Sequence, residues 1–579
     1  MILMWKDIIN MMEEMPPGLH KVSGLRWLLR RRDGVPHPVY PNAAAVTWPE
    51  NEYIEFMESS FSGMDHWDTH RLILHEKCHM LYAHVLSNEI KDAWIKIGGW
   101  VEEFPDQWYT TKTAEFVSAY AHDHNPNEDL AESVAFFILN PAKLESRSPE
   151  KYNFIRHFLM DGDRYLTMVR KDLEFEVLNL WPRYTYPGKI CRVDVTVTGK
   201  PKEDKQVTVE IELSCGYNGN DYSAERAYMR LHSRANSFMD VHLLPKNKSG
   251  SVLAQTFSIS KYAAAGNWAP RNIMISDSTG LERMEGHHDF GWRLFLINPL
   301  EILQPPMYIP GSAEMKVTKK DVVDGHEVQI LSVSFKIENP NWCAGGPNSA
   351  YASIVNSSSG QYRLERYSTV PRSSLNVATV EFQITEFMAP GMYDLRLIKM
   401  TDIADNITSV EFGKDERMEP EVQVQVMTTK PDLQGPEIDI EPGQITVEAA
   451  PTNRDEPNGE TKVTITYFAR DPPDRNSGAA SGVGKVSGVL VDPQGGRHFD
   501  YHYHSDFYTL FFSGPGDPSD WHQYVWERIL PAGSTPGKWG LASMTIQDKA
   551  SNQTNIDFTE ILHFHLEHTP NSLATCDAM

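Results

Sequence analysis

One stretch of this chain, Leu72–Leu86, holds residues whose types and spacing fit metal-assisted chemistry. Its centre reads His75-Glu76-Lys-Cys-His79. On a helix, residues four positions apart lie on one face, so His75 and His79 can bind the same metal ion. Glu76 stands beside the first ligand, where its carboxylate can take a proton from a water that the metal activates. The spacing predicts a zinc-peptidase helix, and the alternative is an ordinary buried helix that contains two histidines.

A later stretch supplies the third ligand that such a site needs. Glu128 and Glu132 are four residues apart, so they share one face of a predicted helix. Glu128 would complete a His, His, Glu set with an open fourth position, and Glu132 would accept a ring N–H from a ligand histidine. Apolar residues 134–139 follow at once, which indicates a buried helix whose glutamates need partners. The alternative is a solvated, acidic helix start.

Four other histidines lie near these residues in the sequence. His70 and His84 are each five residues from a ligand, about 140° round the helix, so we expect them to face away. His122 and His124 precede Glu128 in a predicted loop and could line the cleft.

The composition is that of an acidic globular protein. The chain has 579 residues and a net charge of −24, with 41% hydrophobic and 23% charged residues. This length predicts about three to five domains. The charge argues against nucleic acid as a partner. No run of about eighteen apolar residues is present, so we expect no transmembrane segment, and the N-terminus does not have the pattern of a signal peptide.

Residues 1–172 have the pattern of a domain that mixes helices and strands. Apolar periodicity predicts helices, and alternation predicts a ribbon of strands before the His75 helix. The ribbon is expected at Ala44–Phe56, and the other helices at Leu19–Arg32, Glu89–Ile97, Asn127–Leu139 and Lys151–Val169.

From residue 173 onward, short alternating or β-branched runs lie between turn residues, which is typical of β-sandwich modules. A repeat sets their number, because a Gly-x-aromatic triplet is followed nine residues later by an Asp at three places: Gly266 to Asp277, Gly391 to Asp402, and Gly537 to Asp548. We therefore expect three all-β (Ig-like or fibronectin-like) sandwich domains at 173–305, 306–430 and 431–579, the last with a short C-terminal tail. Each repeated Asp is expected to close an Asx-type turn, with a Ca²⁺ ligand as the alternative.

Two smaller patterns belong to these modules. Cys191 and Cys215 lie in one predicted module, and their spacing leaves open whether they form a disulfide. Histidines and aspartates alternate with aromatic residues along Arg497–Tyr508. The expected arrangement is a polar solvent face over an aromatic core face, and the alternative is a metal site on a strand.

The N-terminal residues resemble a known family. His75-Glu76-x-x-His79, Gly99-Trp100, and Phe116-Val-Ser-Ala-Tyr120-Ala…Asn125-Pro-Asn-Glu128-Asp-Leu-Ala-Glu132-Ser-Val-Ala are similar to the anthrax lethal-factor-like zinc metallopeptidases of the gluzincin class. The likeness covers about residues 10–170. It implies a zincin-like α+β fold and one catalytic Zn²⁺ held by His75, His79 and Glu128, with Glu76 as general base.

The resemblance also assigns roles around the metal ligands. It implies Glu132 as the partner of a ligand histidine and Tyr120 as the hydroxyl that stabilises the oxyanion, with Tyr109 in reserve. Two residues depart from the family pattern. Lys77 is charged where the class usually has an uncharged residue, and Tyr120 lies eight residues before Glu128, a spacing about one longer than the family's.

The function we expect is that of a zinc-dependent endopeptidase acting on a protein or peptide that lies extended along the Ala44–Phe56 ribbon. The β modules would attach it to a surface or substrate, through a cell-surface or glycan ligand. A secreted or cell-surface location fits the acidic charge and the tandem modules, with a cytoplasmic one as the alternative. The competing function is a non-catalytic β-sandwich adhesion or glycan-binding protein with a degenerate protease head.

Overall fold

A computed structural model describes residues 5–564 of the chain with short gaps. The gaps are residues 14–18, 20–21, 32–36, 38, 41–42, 63, 65, 111, 113–114, 183–186, 215–223, 234–236, 287–291, 339–346, 357–362, 371–375, 414–417 and 457. Cys215 and the expected C-terminal tail lie outside the described residues. The structure therefore does not test a disulfide between Cys191 and Cys215.

The N-terminal domain combines a helical layer with a small sheet. Its helices are α1 Trp5–Glu13, α2 Ser59–Ser62, α3 His66–His84, α4 Asn88–Ile97, α5 Ala119–Asp123, α6 Pro126–Leu139, α7 Pro141–Arg147 and α8 Pro149–Phe158. Its strands are β1 Trp27–Arg31, β2 Ala45–Trp48, β3 Tyr53–Met57, β4 Trp100–Phe104 and β5 Gln107–Thr110. The sheet order is β1-β3-β2, so β2 lies at one edge, and β4 pairs with β5 as a hairpin. None of the described helices is long and apolar enough to span a membrane.

Several predicted elements of this domain are confirmed, and two are wrong. The ribbon, α4 and α6 form where the sequence pattern predicts them. The helix predicted at Leu19–Arg32 is wrong: Gly24 has a positive φ of 88°, and β1 then pairs in parallel with β3. The helix predicted at Lys151–Val169 ends at Phe158, because the chain turns at Gly162, where φ is 88°, and continues as a strand.

The core of this domain forms where α3 packs on α6. Leu74 and Cys78 of α3 and Leu130 and Val134 of α6 are fully buried in it. Burial raises the pKa of the Cys78 thiol, so the thiol stays neutral and Cys78 is a small apolar residue of the core. The packing brings the histidine face of α3 against the glutamate face of α6.

A buried ion pair fixes α6 against α8. The Nζ of Lys151 lies 2.7 Å from Oδ1 of Asp129, and both side chains are completely buried. The Nε1–H of Trp100 donates to Asp129 Oδ2 at 3.1 Å, and the Lys151 ammonium lies 3.6 Å from the ring centroid of Phe116. Asp129 therefore faces away from Glu128 and Glu132 and serves the core.

Two strands, β6 Arg164–Val169 and β7 Glu174–Val177, lead into the β region. The first module contains β8 Ile190–Thr198, β9 Lys205–Leu213, β10 Ala224–Ser233, β11 Phe238–Pro245, β12 Val252–Ile259, β13 Gly266–Asp277, β14 Glu282–Gly286 and β15 Leu294–Leu296. The second contains β16 Met307–Tyr308, β17 Glu314–Val323, β18 His326–Glu338, β19 Pro347–Asn356, β20 Arg363–Thr369, β21 Val377–Thr385, β22 Gly391–Asp402, β23 Ile407–Glu411 and β24 Gln423–Val426. The third contains β25 Glu437–Ile438, β26 Thr446–Pro451, β27 Thr461–Arg470, β28 Val483–Val491, β29 Arg497–His502, β30 His522–Leu530, β31 Gly537–Asp548, β32 Gln553–Asp557 and β33 Thr559–Phe564.

The second and third modules are β-sandwiches, and each of the three modules has its own apolar core. The strands of the first module form one continuous sheet in the order β14-β13-β10-β11-β12-β9-β8, with β15 paired to β13. In the second, β18 with β16, β17 and β21 faces a sheet of β20-β19-β22-β23 and β24. In the third, β27 with β25, β26 and β30 faces a sheet of β29-β28-β31-β32. One strand in each module, β9, β21 and β27 in turn, alternates buried residues with more exposed ones, as an antiparallel sheet with one wet face requires.

The N-terminal domain is joined to the third module by strand pairing. β7 pairs with β31, and β6 pairs with β33, the last strand described. Leu173, Phe175 and Val177 are buried in the core of the third module. The domain boundaries predicted from the sequence placed these residues at the start of the first module, whereas in the structure they belong to the third. The sequence does not reveal this because β7 pairs with β31, which is far away along the chain.

The repeat seen in the sequence corresponds to one recurring strand, β13, β22 and β31. Each begins at a glycine with a positive φ, which is 96°, 133° and 119° in turn. The aromatic residue two positions later donates a hydrogen bond to the carbonyl four residues before it: Trp268 to Ala264, Tyr393 to Ala389, and Trp539 to Thr535. Each closing Asp accepts backbone N–H groups of the following turn, as an Asx-type turn does.

The buried pair of Lys151 and Asp129 gives a first prediction. Replacing Lys151 with Met leaves a buried carboxylate without its cation, and should destabilise the N-terminal domain by about 3–5 kcal/mol. The double variant Asp129→Asn/Lys151→Met should recover most of that loss, because no buried charge then remains. Urea unfolding followed by tryptophan fluorescence measures both; equal destabilisation of the single and double variants would contradict this account of the pair.

Candidate metal centre

Three potential ligand atoms of α3 and α6 converge on one point. Nε2 of His75 lies 3.1 Å from Nε2 of His79 and 3.0 Å from Oε2 of Glu128. Nε2 of His79 lies 3.4 Å from the same oxygen. A tetrahedral ion with bonds of about 2.0–2.1 Å would hold its ligand atoms about 3.3 Å apart. The spacing of the three atoms therefore fits a zinc-sized ion.

Both histidines are held so that Nε2 faces the other ligands. Nδ1 of His75 lies 3.0 Å from Oε1 of Glu132, and Nδ1 of His79 lies 3.1 Å from Oδ1 of Asn127. Oxygen acceptors at Nδ1 favour a proton on that nitrogen, which leaves the Nε2 lone pair for a metal. This arrangement is the usual one for metal-binding imidazoles.

One carboxylate oxygen of Glu128 has no hydrogen-bond partner among the described residues. Oε2 of Glu128 is buried and accepts no hydrogen bond, although buried carboxylate oxygens are normally satisfied. The side chain as a whole is 18% exposed, so the site is reached from solvent. An oxygen that is buried, unsatisfied and next to two imidazole nitrogens fits a metal ligand.

The start of α6 positions Glu128. Asn125 caps the helix, since its Oδ1 accepts the backbone N–H groups of Asn127 and Glu128, and Pro126 occupies the first turn. This places Glu128 at a fixed point one turn before Glu132.

Glu132 is the centre of a small polar network. Oε1 of Glu132 accepts a hydrogen bond from Arg71 as well as from His75, and Oε2 accepts one from Ser118 at 2.7 Å. Burial would raise the pKa of Glu132, but these contacts lower it to about 2. Glu132 is therefore ionised at neutral pH and orients His75.

The electrostatic field at the ligands is negative. Burial alone would lower the pKa of His75, but the carboxylates of Glu128 and Glu132, one beside each ring nitrogen, outweigh it and raise the pKa to about 10. Burial would raise the pKa of Glu128, but the two histidines hold it well below its usual range. A position that attracts a proton this strongly also attracts a cation.

Glu76 points toward the ribbon. Its Oε2 accepts a hydrogen bond from the hydroxyl of Thr47 at 2.6 Å, and Glu76 is only 5% exposed. Thr47 belongs to β2, the edge strand of the small sheet. The edge strand and the proposed general base therefore meet at one place.

Tyr120 lies beside the ligands, and Tyr109 lies on β5 of the hairpin. The ring centroid of Tyr120 is 5.8 Å from that of His75. Burial and the charges of Glu128, Glu76 and Glu132 raise the pKa of Tyr120, so the phenol keeps its proton and can donate a hydrogen bond. This geometry favours Tyr120 over Tyr109 for the oxyanion role.

The other histidines and Lys77 lie away from the ligand atoms. Nε2 of His122 is 3.1 Å from the carbonyl oxygen of Lys112, and Nε2 of His84 is 3.1 Å from that of Pro49. His124 stacks on Tyr120 and contacts its carbonyl oxygen. Lys77 is buried in α3, and burial lowers its pKa to about 8.

Sequence reasoning missed four residues that support the site, namely Thr47, Arg71, Ser118 and Asn127. Arg71 had a local signal, because it lies one turn before His75 on the same helix face. Asn127 adjoins Glu128, but nothing in its residue type or position indicates a contact with His79. Thr47 and Ser118 reach the site from other elements, and no local pattern identifies such contacts.

The histidine-rich strand β29 has the opposite orientation to the one predicted. Phe499 and Tyr501 are exposed by 55% and 49%, whereas His502 is buried. His502 stacks on Trp526, and its Nδ1 pairs with the hydroxyl of Tyr467 at 2.7 Å. The expectation of an aromatic core face is wrong, because these histidines find hydrogen-bonding partners inside the sandwich.

Comparison with known proteins adds little about this site. No family model matches the chain, and no curated protein matches it. Similar solved structures include a tetra-tandem repeat in the extending region of a large adhesion protein, 8% identical over 67% of this chain and 74% of that one, with a TM-score of 0.14. The FN1–FN3 domains of chicken CNTN1 are 9% identical over 64% of this chain and 98% of that one, with a TM-score of 0.15. Likeness at these TM-scores supports no conclusion about the fold or the site of this chain.

The contact between Asn127 and His79 gives a second prediction. Asn127→Ala should weaken zinc affinity about 10- to 100-fold, because the imidazole loses the acceptor that orients it. Asn127→Asp keeps an oxygen at that position and should retain tight binding. Competition with a chromophoric chelator measures both; if Asn127→Ala binds zinc as tightly as the wild type, the contact does not orient His79.

Proposed function

We propose that the N-terminal domain is a zinc-dependent endopeptidase. The observation that carries the proposal is the convergence of the Nε2 atoms of His75 and His79 on the unsatisfied Oε2 of Glu128. Two imidazoles and one carboxylate are the ligand set of many catalytic zinc sites with an open fourth position. The α+β domain would then have a zincin-like fold.

Bound at this site, zinc would polarise the scissile carbonyl and lower the pKa of the attacking water. Glu76 takes a proton from that water and passes it to the leaving amine. Thr47 holds the Glu76 carboxylate in place, and Tyr120 donates a hydrogen bond to the developing oxyanion. No covalent intermediate with the protein is needed.

The substrate class we propose is an extended protein or peptide segment. β2 is an edge strand, and an edge strand presents backbone groups that an extended peptide can pair with. Thr47 on the same strand contacts Glu76, so a peptide added at this edge would pass the proposed base. Main-chain pairing would hold it, and side-chain pockets would select it.

The β-sandwich modules would attach the peptidase to a cell surface or a glycan, and a secreted or cell-surface location follows from that role. An exposed aromatic group supports it: Phe499, Tyr501, Tyr503 and Tyr508 of the third module are all about half exposed or more. Exposed aromatic clusters commonly mark binding surfaces. The competing function is adhesion by these modules alone, with a head that has no activity.

Zinc content and cleavage together test the proposal. Elemental analysis should find one zinc in the wild type and in Glu76→Gln, and little in Glu128→Ala. Glu89→Ala, which alters an exposed glutamate at the start of α4, is the matched control and should keep its zinc. Against a library of unstructured peptides, Glu76→Gln should lose about 10²- to 10⁴-fold in rate, as removal of a general base does.

The possible outcomes separate the two functions. A wild type without zinc after reloading would overturn the peptidase proposal and leave an adhesion protein. Zinc bound by the wild type without any cleavage of the library would favour the degenerate head.

The Thr47 hydroxyl gives a further prediction. Thr47→Val removes a hydrogen bond to a carboxylate, which is worth about 1.5–3 kcal/mol, and should lower kcat about 10- to 100-fold at unchanged zinc content. Thr47→Ser keeps the hydroxyl and should restore most of kcat. A change confined to KM, or no rescue by serine, would show that Thr47 does not position Glu76.

A further inference from the structure

A second convergence of acidic side chains lies far from the zinc ligands, between the second and third modules. Asp432, Asp471 and Asp548 each place a carboxylate oxygen within 4.8 Å of the others. They are 0%, 0% and 4% exposed. Three carboxylates buried together are costly unless a cation or protons compensate their charge.

The three residues come from separate parts of the fold. Asp432 lies in the linker between β24 and β25, Asp471 directly follows β27, and Asp548 ends β31. The cluster thus joins the linker to both sheets of the third module. Its assembly depends on tertiary structure and on no local motif.

The hydrogen bonds around the cluster leave an oxygen available. Oδ2 of Asp471 accepts the hydroxyl of Ser481 at 3.1 Å and the N–H of Gly482 at 2.6 Å. Oδ1 of Asp471 is buried and accepts no hydrogen bond. Asp548 is held by the N–H and the side-chain amide of Asn552. An unsatisfied oxygen on a fully buried carboxylate is rare, and either a bound cation or a proton shared with the neighbouring Asp432 would satisfy it.

Neither Asp471 nor Asp548 is paired with a cation among the described residues. The charges that act on Asp548 are those of Asp471 and Asp432, and the charge that acts on Asp471 is that of Asp432. No described lysine, arginine or histidine pairs with Asp471 or Asp548. This differs from Asp129 in the N-terminal domain, which is equally buried and has Lys151.

We propose that Asp432, Asp471 and Asp548 bind a divalent cation of the Ca²⁺ type, which joins the linker to the third module and fixes its position relative to the second. The ligand set is all oxygen and anionic, which suits hard cations such as Ca²⁺ better than zinc. The proposal is independent of the zinc site and its chemistry.

The surroundings explain why a cation here would act on the junction between modules. The backbone N–H of Asp432 donates to the carbonyl of Phe387 in the second module, and its carbonyl accepts from the Asn552 side chain in the third. Beside it, Val328 and Phe387 of the second module pack on Phe511 and Ala550 of the third. Tightening the linker at Asp432 would therefore hold this apolar interface together.

The corresponding turn in the second module provides an internal comparison. Asp402 ends β22 as Asp548 ends β31, and Asn406 binds it as Asn552 binds Asp548. The side chain of Asn406 also reaches a linker carbonyl, that of Ile302. Among the described residues, no second and third ligand converge on Asp402. The turn is thus common to both modules, and the acidic cluster is confined to the later junction.

The alternative to a cation is a shared proton. Burial and the neighbouring Asp432 raise the pKa of Asp471 to about 8, so a metal-free cluster would hold protons near neutral pH. The two states differ in their response to Ca²⁺, which makes them experimentally distinct.

Calcium titration of the full chain tests the proposal. The chain is treated with a chelator, dialysed, and titrated with CaCl₂ up to about 5 mM, a range that covers the affinities of extracellular calcium modules. We expect binding by calorimetry and a rise of about 3 °C or more in the melting temperature of the β modules. In Asp471→Asn both responses should be lost, while its calcium-free melting temperature should equal or exceed that of the wild type, because one buried charge is gone.

Two control variants locate the site. Asp402→Asn perturbs the same kind of turn without the cluster and should retain the calcium response. Glu128→Ala removes a proposed zinc ligand and should also retain it. Absence of any calcium response in the wild type would overturn the proposal and assign shared protons to the cluster, as would a response that Asp471→Asn retains in full.

Discussion

The constraint on which this structure most depends is that a buried carboxylate must meet an opposite charge or a hydrogen-bond donor. Helix α6 carries three acidic residues in its first two turns, and each meets a different set of partners, with His75 common to two of them. Asp129 meets Lys151, Glu132 meets Arg71 and His75, and Glu128 faces two imidazoles. These pairings leave one orientation of α6 against α3 and α8. The geometry of the candidate metal centre is thus a consequence of how the domain satisfies its buried charges.

Strand pairing and side-chain contacts also join the N-terminal domain to a module that is distant in the sequence. The strand β7, which follows the N-terminal domain, enters a sheet of the third module, and β6 pairs with the last described strand. The side-chain amide of Asn140 donates to the carbonyl of Gly495, and Arg497 lies over the ring of Trp67 on α3. The third module is therefore the structural partner of the N-terminal domain, although the first module follows that domain in sequence.

What the sequence predicted well was local, and what it missed was tertiary. The spacing of His75, His79 and Glu128 predicted that their side chains share one site, because helix geometry turns spacing into direction, and the structure brings them together. The repeated strands were visible because each is marked by a local pattern, a Gly-x-aromatic triplet followed by an Asp. Trp27–Arg31 was misread, since its conformation is set by pairing with β3. The alternation around Phe499 predicted a strand correctly but not which face points inward, because a period of two is the same for either face.

The two clusters differ in their donor atoms, and the donor atoms decide which metal each cluster would favour. Imidazole nitrogens beside one carboxylate make a borderline-soft site with an open position, which suits zinc and hydrolysis. Three aspartates without nitrogen make a hard site enclosed by protein, which suits a structural cation. Asp471 is buried at the junction of the second and third modules, so a cation bound there would act on module geometry. A chain with both would use one metal to cleave a substrate and another to hold the arm that carries the cleaving domain.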